Sequence, residues 1–219
     1  AVNFVGAVNI NTNRINLIHV EHLKAERFKT LGRTLRRRDA SRNTIANFRK
    51  LVNQLIEYEQ RLYKDALTGV YNRRYFEEQI KKKNENAGVA VIDMDDFKLC
   101  NDTLGHSVGD AALRTMVKTV KHCIRKTDIL IRYGGDEFIL ILQNIKKENF
   151  FNKLVQIQSD IHAANVPGFP KLQLSVSIGG VISSKETVEH AVMQADKLMY
   201  QAKEHKNMVV TEDNASYVA

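Results

Sequence analysis

Two β-branched, apolar runs face each other across a polar tip: Ile129-Leu130-Ile131, then Arg132-Tyr133-Gly134-Gly135-Asp136-Glu137-Phe138, then Ile139-Leu140-Ile141-Leu142. Strand-forming runs separated by consecutive glycines predict a β-hairpin. Gly134 and Gly135 read as a tight primed turn, because glycine takes positive φ at no steric cost, and the two strands should then pair directly across them. An antiparallel pair is therefore fixed inside whatever sheet forms. Asp136 and Glu137 are adjacent carboxylates at a place where strand propensity disfavours acids. Either they are ordinary turn polarity or they form a cation site at the hairpin tip.

A second stretch bears on that choice. Val89-Ala90-Val91-Ile92-Asp93-Met94-Asp95-Asp96-Phe97-Lys98 carries four apolar residues straight into three acids. It predicts a buried strand delivering Asp93 and Asp95 to its end on one face, since strand side chains alternate. Asp95 or Asp96 has an ordinary explanation as the N-cap of a helix starting near Phe97. Asp93 has none: inside the strand pattern an isolated carboxylate is costly unless a cation or donor meets it.

Asn101 to Asp110, punctuated by Gly105 and Gly109, is expected to be a polar loop, with Asp110 in the position of a cap for the helix carrying Leu113, Met116, Val117 and Val120. Helical periodicity also marks Arg73 or Arg74 to Ile80, Phe150 to Ile161 and Val188 to Lys203. Leu172 to Gly180 alternates as a strand, and the tail from Thr211 reads as frayed. Helices and strands alternating around an antiparallel hairpin give an α/β (α+β) class, with one central mixed sheet flanked by helices.

Ahead of this lies a basic arm. Residues 1–63 carry 12 Lys and Arg against 5 Asp and Glu, whereas the remainder carries 21 against 20, so the net charge of +8 sits mostly in the arm. Its apolar residues form narrow helical stripes, Phe28, Leu31 and Leu35, then Ile45, Phe48, Val52, Leu55 and Leu62, with a polar break at 36–43 between them. Such a stripe seeks a partner helix, either the same helix of a second copy or a preceding domain. Aromatic residues are not interleaved with the arginines and no DNA-reading motif is present, so no nucleic-acid partner is expected. The chain opens on Ala1 and is expected to be a piece of something longer; no signal-peptide pattern or membrane-length apolar run occurs. Cys100 and Cys123 lack metal or disulfide spacing, which fits a reducing compartment.

Asp93 brought beside Asp136 and Glu137 would make a hard-oxygen site suited to Mg²⁺, which takes one or two carboxylates together with substrate phosphates. Such an ion serves phosphoryl transfer. The absence of a Walker loop argues against a P-loop enzyme.

These motifs together resemble the GGDEF family, the diguanylate cyclases. The run Arg132-Tyr133-Gly134-Gly135-Asp136-Glu137-Phe138 is similar to its signature, and Asp65-Ala66-Leu67-Thr68-Gly69-Val70-Tyr71-Asn72-Arg73-Arg74 to its opening motif. Asp93 through Gly109-Asp110 resembles its central block, and Ala195-Asp196 with Tyr200, Ala202 and Lys203 its last helix. The resemblance implies a palm like that of class III nucleotide cyclases over residues 64–213, with residues 1–63 as an upstream tail plus a coiled-coil-like dimerisation arm and 214–219 as a frayed tail. It implies condensation of two GTP into cyclic di-GMP and two pyrophosphates by a homodimer under an upstream sensor domain.

By matching positions, the resemblance implies that Asp93, the Met94 carbonyl and Asp136 bind Mg²⁺, with Mn²⁺ as the alternative ion. Asp136 would help deprotonate the ribose 3′-hydroxyl, with Glu137 as a further acid. Asn101 and Asp110 would read guanine, His106 would lie by the nucleotide, and Phe97, Lys98 and Lys203 would meet the phosphates. Arg125 and Asp128, with five residues between Asp128 and Gly134, match an inhibitory product site. One departure stands out: Lys203 is followed by Glu204-His205-Lys206-Asn207, as though the family's glycine were missing, which leaves the second phosphate position open between Lys206 and Asn207. GTP supply and the free thiols point to cytoplasmic work, with membrane anchoring of a longer protein left open.

Overall fold

The computed structural model describes residues 42–213. The chain divides between Glu57 and Tyr58 into two compact units. Helix α1, Arg42–Tyr63, leads in. The stripe of Phe28, Leu31 and Leu35, most of the polar break and the tail 214–219 lie outside the described residues.

Six strands form one mixed sheet: β1 Tyr71–Asn72, β2 Ala87–Met94, β3 Ile129–Arg132, β4 Glu137–Gln143, β5 Val176–Ser183 and β6 Val209–Thr211, in the order β1-β3-β4-β2-β5-β6. The central pairs β3·β4, β4·β2 and β2·β5 are antiparallel and the edge pairs β1·β3 and β5·β6 parallel. β6 was not foreseen: Thr211, expected at the start of a frayed tail, is buried in it opposite Gly180.

Alternation along β2 divides the core. Ala90, Ile92 and Met94, with Phe138 and Leu140 of β4, pack under α4 (His106–Cys123) and α5 (Lys147–His162) through Met116, Val120, Leu154 and Ile157. Val89 and Val91 turn to the other face, where α6 (Val188–His205) supplies Ala191, Ala195 and Met199. A short α2 (Arg73–Tyr75) continues into a π-helical turn, Phe76–Ile80, where one longer helix was expected.

Two local expectations are corrected. Residues 101–110 are not a loop: α3 (Phe97–Leu104) and α4 are separated only by Gly105, whose φ of 90° lets one helix stop and the next begin. Asp110 therefore lies inside α4, 3.9 Å from Arg114, and Gly105 holds the cap position. At the hairpin, Tyr133 N–H and Gly134 N–H both donate to the Glu137 carbonyl, at 2.8 and 3.2 Å. The connection is thus longer than a two-residue primed turn, and neither Gly134 nor Gly135 is among the described positive-φ glycines. Glycine at 134 leaves room instead, since a Cβ there would stand 2.7 Å from Glu137 Oε2.

Candidate active site

Asp93 lies one residue from the end of β2 and is 3% exposed. The alternation that puts Val89 and Val91 on the α6 face puts Asp93 there too. In the ladder it stands opposite Glu137 on one side and Ser177 on the other. Like charges directly opposite one another repel, so this pairing needs a cation. Lys203 supplies one, its Nζ 2.9 Å from Asp93 Oδ1. It reaches Asp93 because α6 lies directly on the backbone of β5: a Cβ on Gly179 would collide with the Ala195 carbonyl and the Met199 amide.

Burial pushes the Asp93 carboxyl up to about 6; Lys203 opposes the rise and the charges of Asp136 and Glu137 add to it. For Lys203, burial alone would lower the ammonium, but the hydrogen bond to Asp93 and the charges of Asp93, Asp136 and Glu137 prevail and hold it raised. The four groups therefore act as one electrostatic cluster. Met94 belongs to it through the backbone, its N–H donating to the Asp136 carbonyl at 3.3 Å.

Among the described residues, no three His, Cys, Asp or Glu side chains are already gathered as a metal cage. Mg²⁺ does not require one, since one or two carboxylates with water and phosphate oxygens complete its shell. A buried carboxylate with a raised pKa, repelled by two neighbours and met by a lysine, is a place where added positive charge is stabilising. The donor set thus fits a hard divalent ion.

A second cluster sits where α3 meets α4. A Cβ on Gly109 would overlap Asn101 Oδ1 and stand 3.2 Å from Phe97 Cε2, so glycine at 109 lets Asn101 and Phe97 lie against the turn of α4 that carries Asp110. Lys98 and His106 are exposed on the same two helices, His106 as the first residue of α4. The Asp95-Asp96 connection joins this cluster to the first. Neither acid caps α3 through its side chain: Asp96 holds the cap position at φ 54° without a capping bond, and its carboxylate takes Lys206 instead.

Arg125 and Asp128 are not brought to either cluster. They precede β3, whereas the acidic tip follows it. Asp128 Oδ2 accepts from Arg125 N–H at 2.8 Å and Oδ1 from Gln143 N–H at 3.0 Å, which ties the turn to the far end of β4. The Arg125 side chain is exposed.

Two sets of residues stand out only in the fold. Arg132 joins Asp65 to the hairpin tip, and Asp95 gathers Ser175, Ser177 and Asn207. The shared parity of Asp93 and Asp95 was a signal for the second set; nothing local signalled its partners.

A family model described as "Diguanylate cyclase, GGDEF domain" matches residues 62–208. The probable diguanylate cyclase DgcC of Escherichia coli K12 is 30% identical over 163 residues, covering 68% of this chain and 44% of that protein. Diguanylate cyclase DgcS of Shewanella oneidensis is 36% identical over 149 residues, 64% of this chain and 49% of that protein. The chain thus spans less than half the length of these relatives. Among solved structures, the coiled coil and GGDEF domain of DgcB from Caulobacter crescentus superposes with a TM-score of 0.68 at 23% identity, covering 81% of this chain and 99% of that one, a likeness of fold. Diguanylate cyclase SiaD from Pseudomonas aeruginosa gives 0.66 at 25% identity, covering 88% and 78%. With the family model matching well over half of its residues, the chain belongs to the GGDEF domain family.

Proposed function

We propose that this chain is a diguanylate cyclase that condenses two GTP into cyclic di-GMP and releases two pyrophosphates. The observation that carries the reading is the buried Asp93 carboxylate, raised to about 6 and set between Lys203 and the acids Asp136 and Glu137. Family membership supports the same reaction.

In this account Asp93, the Met94 carbonyl and Asp136 hold Mg²⁺, or Mn²⁺ in its place. Bound there, the ion would neutralise the triphosphate and make the ribose 3′-hydroxyl easier to ionise. Asp136 accepts the 3′-hydroxyl proton as that oxygen attacks the α-phosphorus of the other GTP, Glu137 keeps the site acidic, and pyrophosphate leaves. Lys203 and Lys98, with the Phe97 turn, meet the phosphates; Lys203 exchanges its bond to Asp93 for phosphate oxygens. Asn101 and Asp110 read the guanine edge, a carboxylate being able to accept from its N1–H and N2–H₂, and His106 lies beside the nucleotide.

Each domain holds one GTP, so two must meet. Leu51, Leu55 and Tyr58 on α1 are 54%, 55% and 66% exposed, a face suited to the same helix of a second copy. Residues 1–63 then act as the arm that transmits an upstream sensor's state, and 64–213 as the catalytic domain, working in the cytoplasm. Cyclic di-GMP would bind back at Arg125 and Asp128, its negative charge meeting the exposed guanidinium. Among the described residues no helix is long and apolar enough to cross a membrane.

Incubation with GTP and Mg²⁺ followed by chromatography of the nucleotides tests the reading, with Asp136→Ala as control. Cyclic di-GMP that disappears in the variant supports it. Bound but unconverted GTP in the native dimer would make the chain a nucleotide receptor instead.

A further inference from the structure

Three acids at the exit of β2 each hold a different point at the end of α6. Asp93 takes Lys203 at 2.9 Å. Asp96 takes Lys206 Nζ at 2.8 Å from both oxygens. Asp95, between them, holds the backbone: Oδ2 accepts the Asn207 N–H at 2.9 Å and the Ser175 hydroxyl, and Oδ1 accepts the Ser177 hydroxyl at 2.7 Å.

The turn held in this way is one the chain does not adopt freely. Lys206, at φ 54° and ψ 161°, and Asn207, at φ 48°, both have positive φ, backbone that favours glycine. Gln158 adds a second restraint, its Nε2 donating to Asn207 Oδ1 at 2.6 Å. The same turn fixes where α6 ends, since Lys206 N–H closes on the Ala202 carbonyl at 3.0 Å, and Lys203 is the residue after Ala202. It also starts β6, Met208 accepting from Ile178 N–H at 2.9 Å.

We propose that Asp95 is a positioning residue for the two lysines: by clamping the Lys206–Asn207 turn to the entry of β5, it aims Lys203 and Lys206 at the end of β2, where both serve the triphosphate. The assignment rests on the GTP reading above. It accounts for a positive-φ turn built without glycine, since a carboxylate accepting three bonds offsets the backbone cost. It also gives Lys206 a place beside Lys203, the two meeting neighbouring acids of one strand end.

The test is a double-mutant cycle on the full chain, read as the affinity for a fluorescent N-methylanthraniloyl GTP in Mg²⁺ buffer. Asp95→Asn should weaken the analogue about tenfold in the native background, the loss of one charge-assisted bond. In a Lys203→Ala/Lys206→Ala background the same change should cost less than about twofold, because nothing remains to be aimed. If circular dichroism shows Asp95→Asn to be poorly folded, Ser175→Ala carries the same comparison. Equal losses in both backgrounds, or none in either, would overturn the positioning role. A native chain that binds no analogue would overturn the GTP reading itself, and this assignment with it.

Discussion

Arg132 Nη1 donates to Asp65 Oδ1 at 3.1 Å while Nε and Nη2 of the same guanidinium donate to the Gly135 carbonyl at 3.1 and 2.6 Å. Asp65 lies two residues after α1 ends, and its carboxylate also accepts from the Thr68 N–H and hydroxyl, at 2.9 and 2.6 Å. One side chain thus ties the helix exit to the acidic tip. Burial works against the Asp65 carboxylate, but the Thr68 and Arg132 bonds outweigh it and hold its pKa below the ordinary value. Asp65→Ala and Arg132→Ala, measured singly and together by urea unfolding, should show a coupling of about 1–3 kcal/mol. Additive losses would mean that the pair transmits nothing between the two segments.

Asp93 makes a prediction of opposite sign. Its pKa is about 6 in the fold, against about 3.9 in an unfolded chain. Below about pH 3 it is protonated in both states. As pH rises towards 6 the unfolded chain ionises first, so stability is lost, up to about 3 kcal/mol above the folded pKa. In chelator, Asp93→Asn should therefore raise Tm near pH 7.5 and leave it unchanged below about pH 3. A variant less stable at both values would show that the carboxylate is not strained by its surroundings.

Gly109→Ala addresses the nucleotide side. The new methyl would collide with Asn101 Oδ1, and that side chain must move off the turn of α4 that carries Asp110. We expect weaker GTP binding, by about tenfold in Kd, with secondary structure by circular dichroism preserved. Unchanged affinity would remove Asn101 from guanine recognition.

On α1, Leu55→Glu places a charge on the exposed stripe. Sedimentation should show association weakened by at least about tenfold, and cyclic di-GMP formation at low protein concentration should fall in parallel. Full activity from a species that sediments as a monomer would refute the two-domain requirement.

Much of this site was legible in the sequence where it rested on alternation. Period-two patterning placed Asp93 on a buried strand, and the β3·β4 pair followed from two β-branched runs around the glycines. What could not be read depended on distant partners. Asn207 and Asp95 are 112 positions apart, and no local pattern announces a carboxylate holding a turn so far along the chain. The glycine pair in the sequence points to conformational freedom at Gly134, whereas the space it leaves for Glu137 is what the fold uses. The 101–110 segment is polar on a surface helix pair, and polarity resembles a loop when one glycine is enough to join two helices. β6 is only three residues long, too short to show a period before its pairing with β5 is known.

The most direct test of the cation site at the strand ends is a Mn²⁺ titration followed by electron paramagnetic resonance, in the presence of GTP, on native protein, Asp93→Asn and Asp136→Ala. Native protein with GTP should remove free Mn²⁺ signal beyond what GTP alone does, and either substitution should abolish the excess. Equal Mn²⁺ uptake by all three proteins would contradict a cation site there.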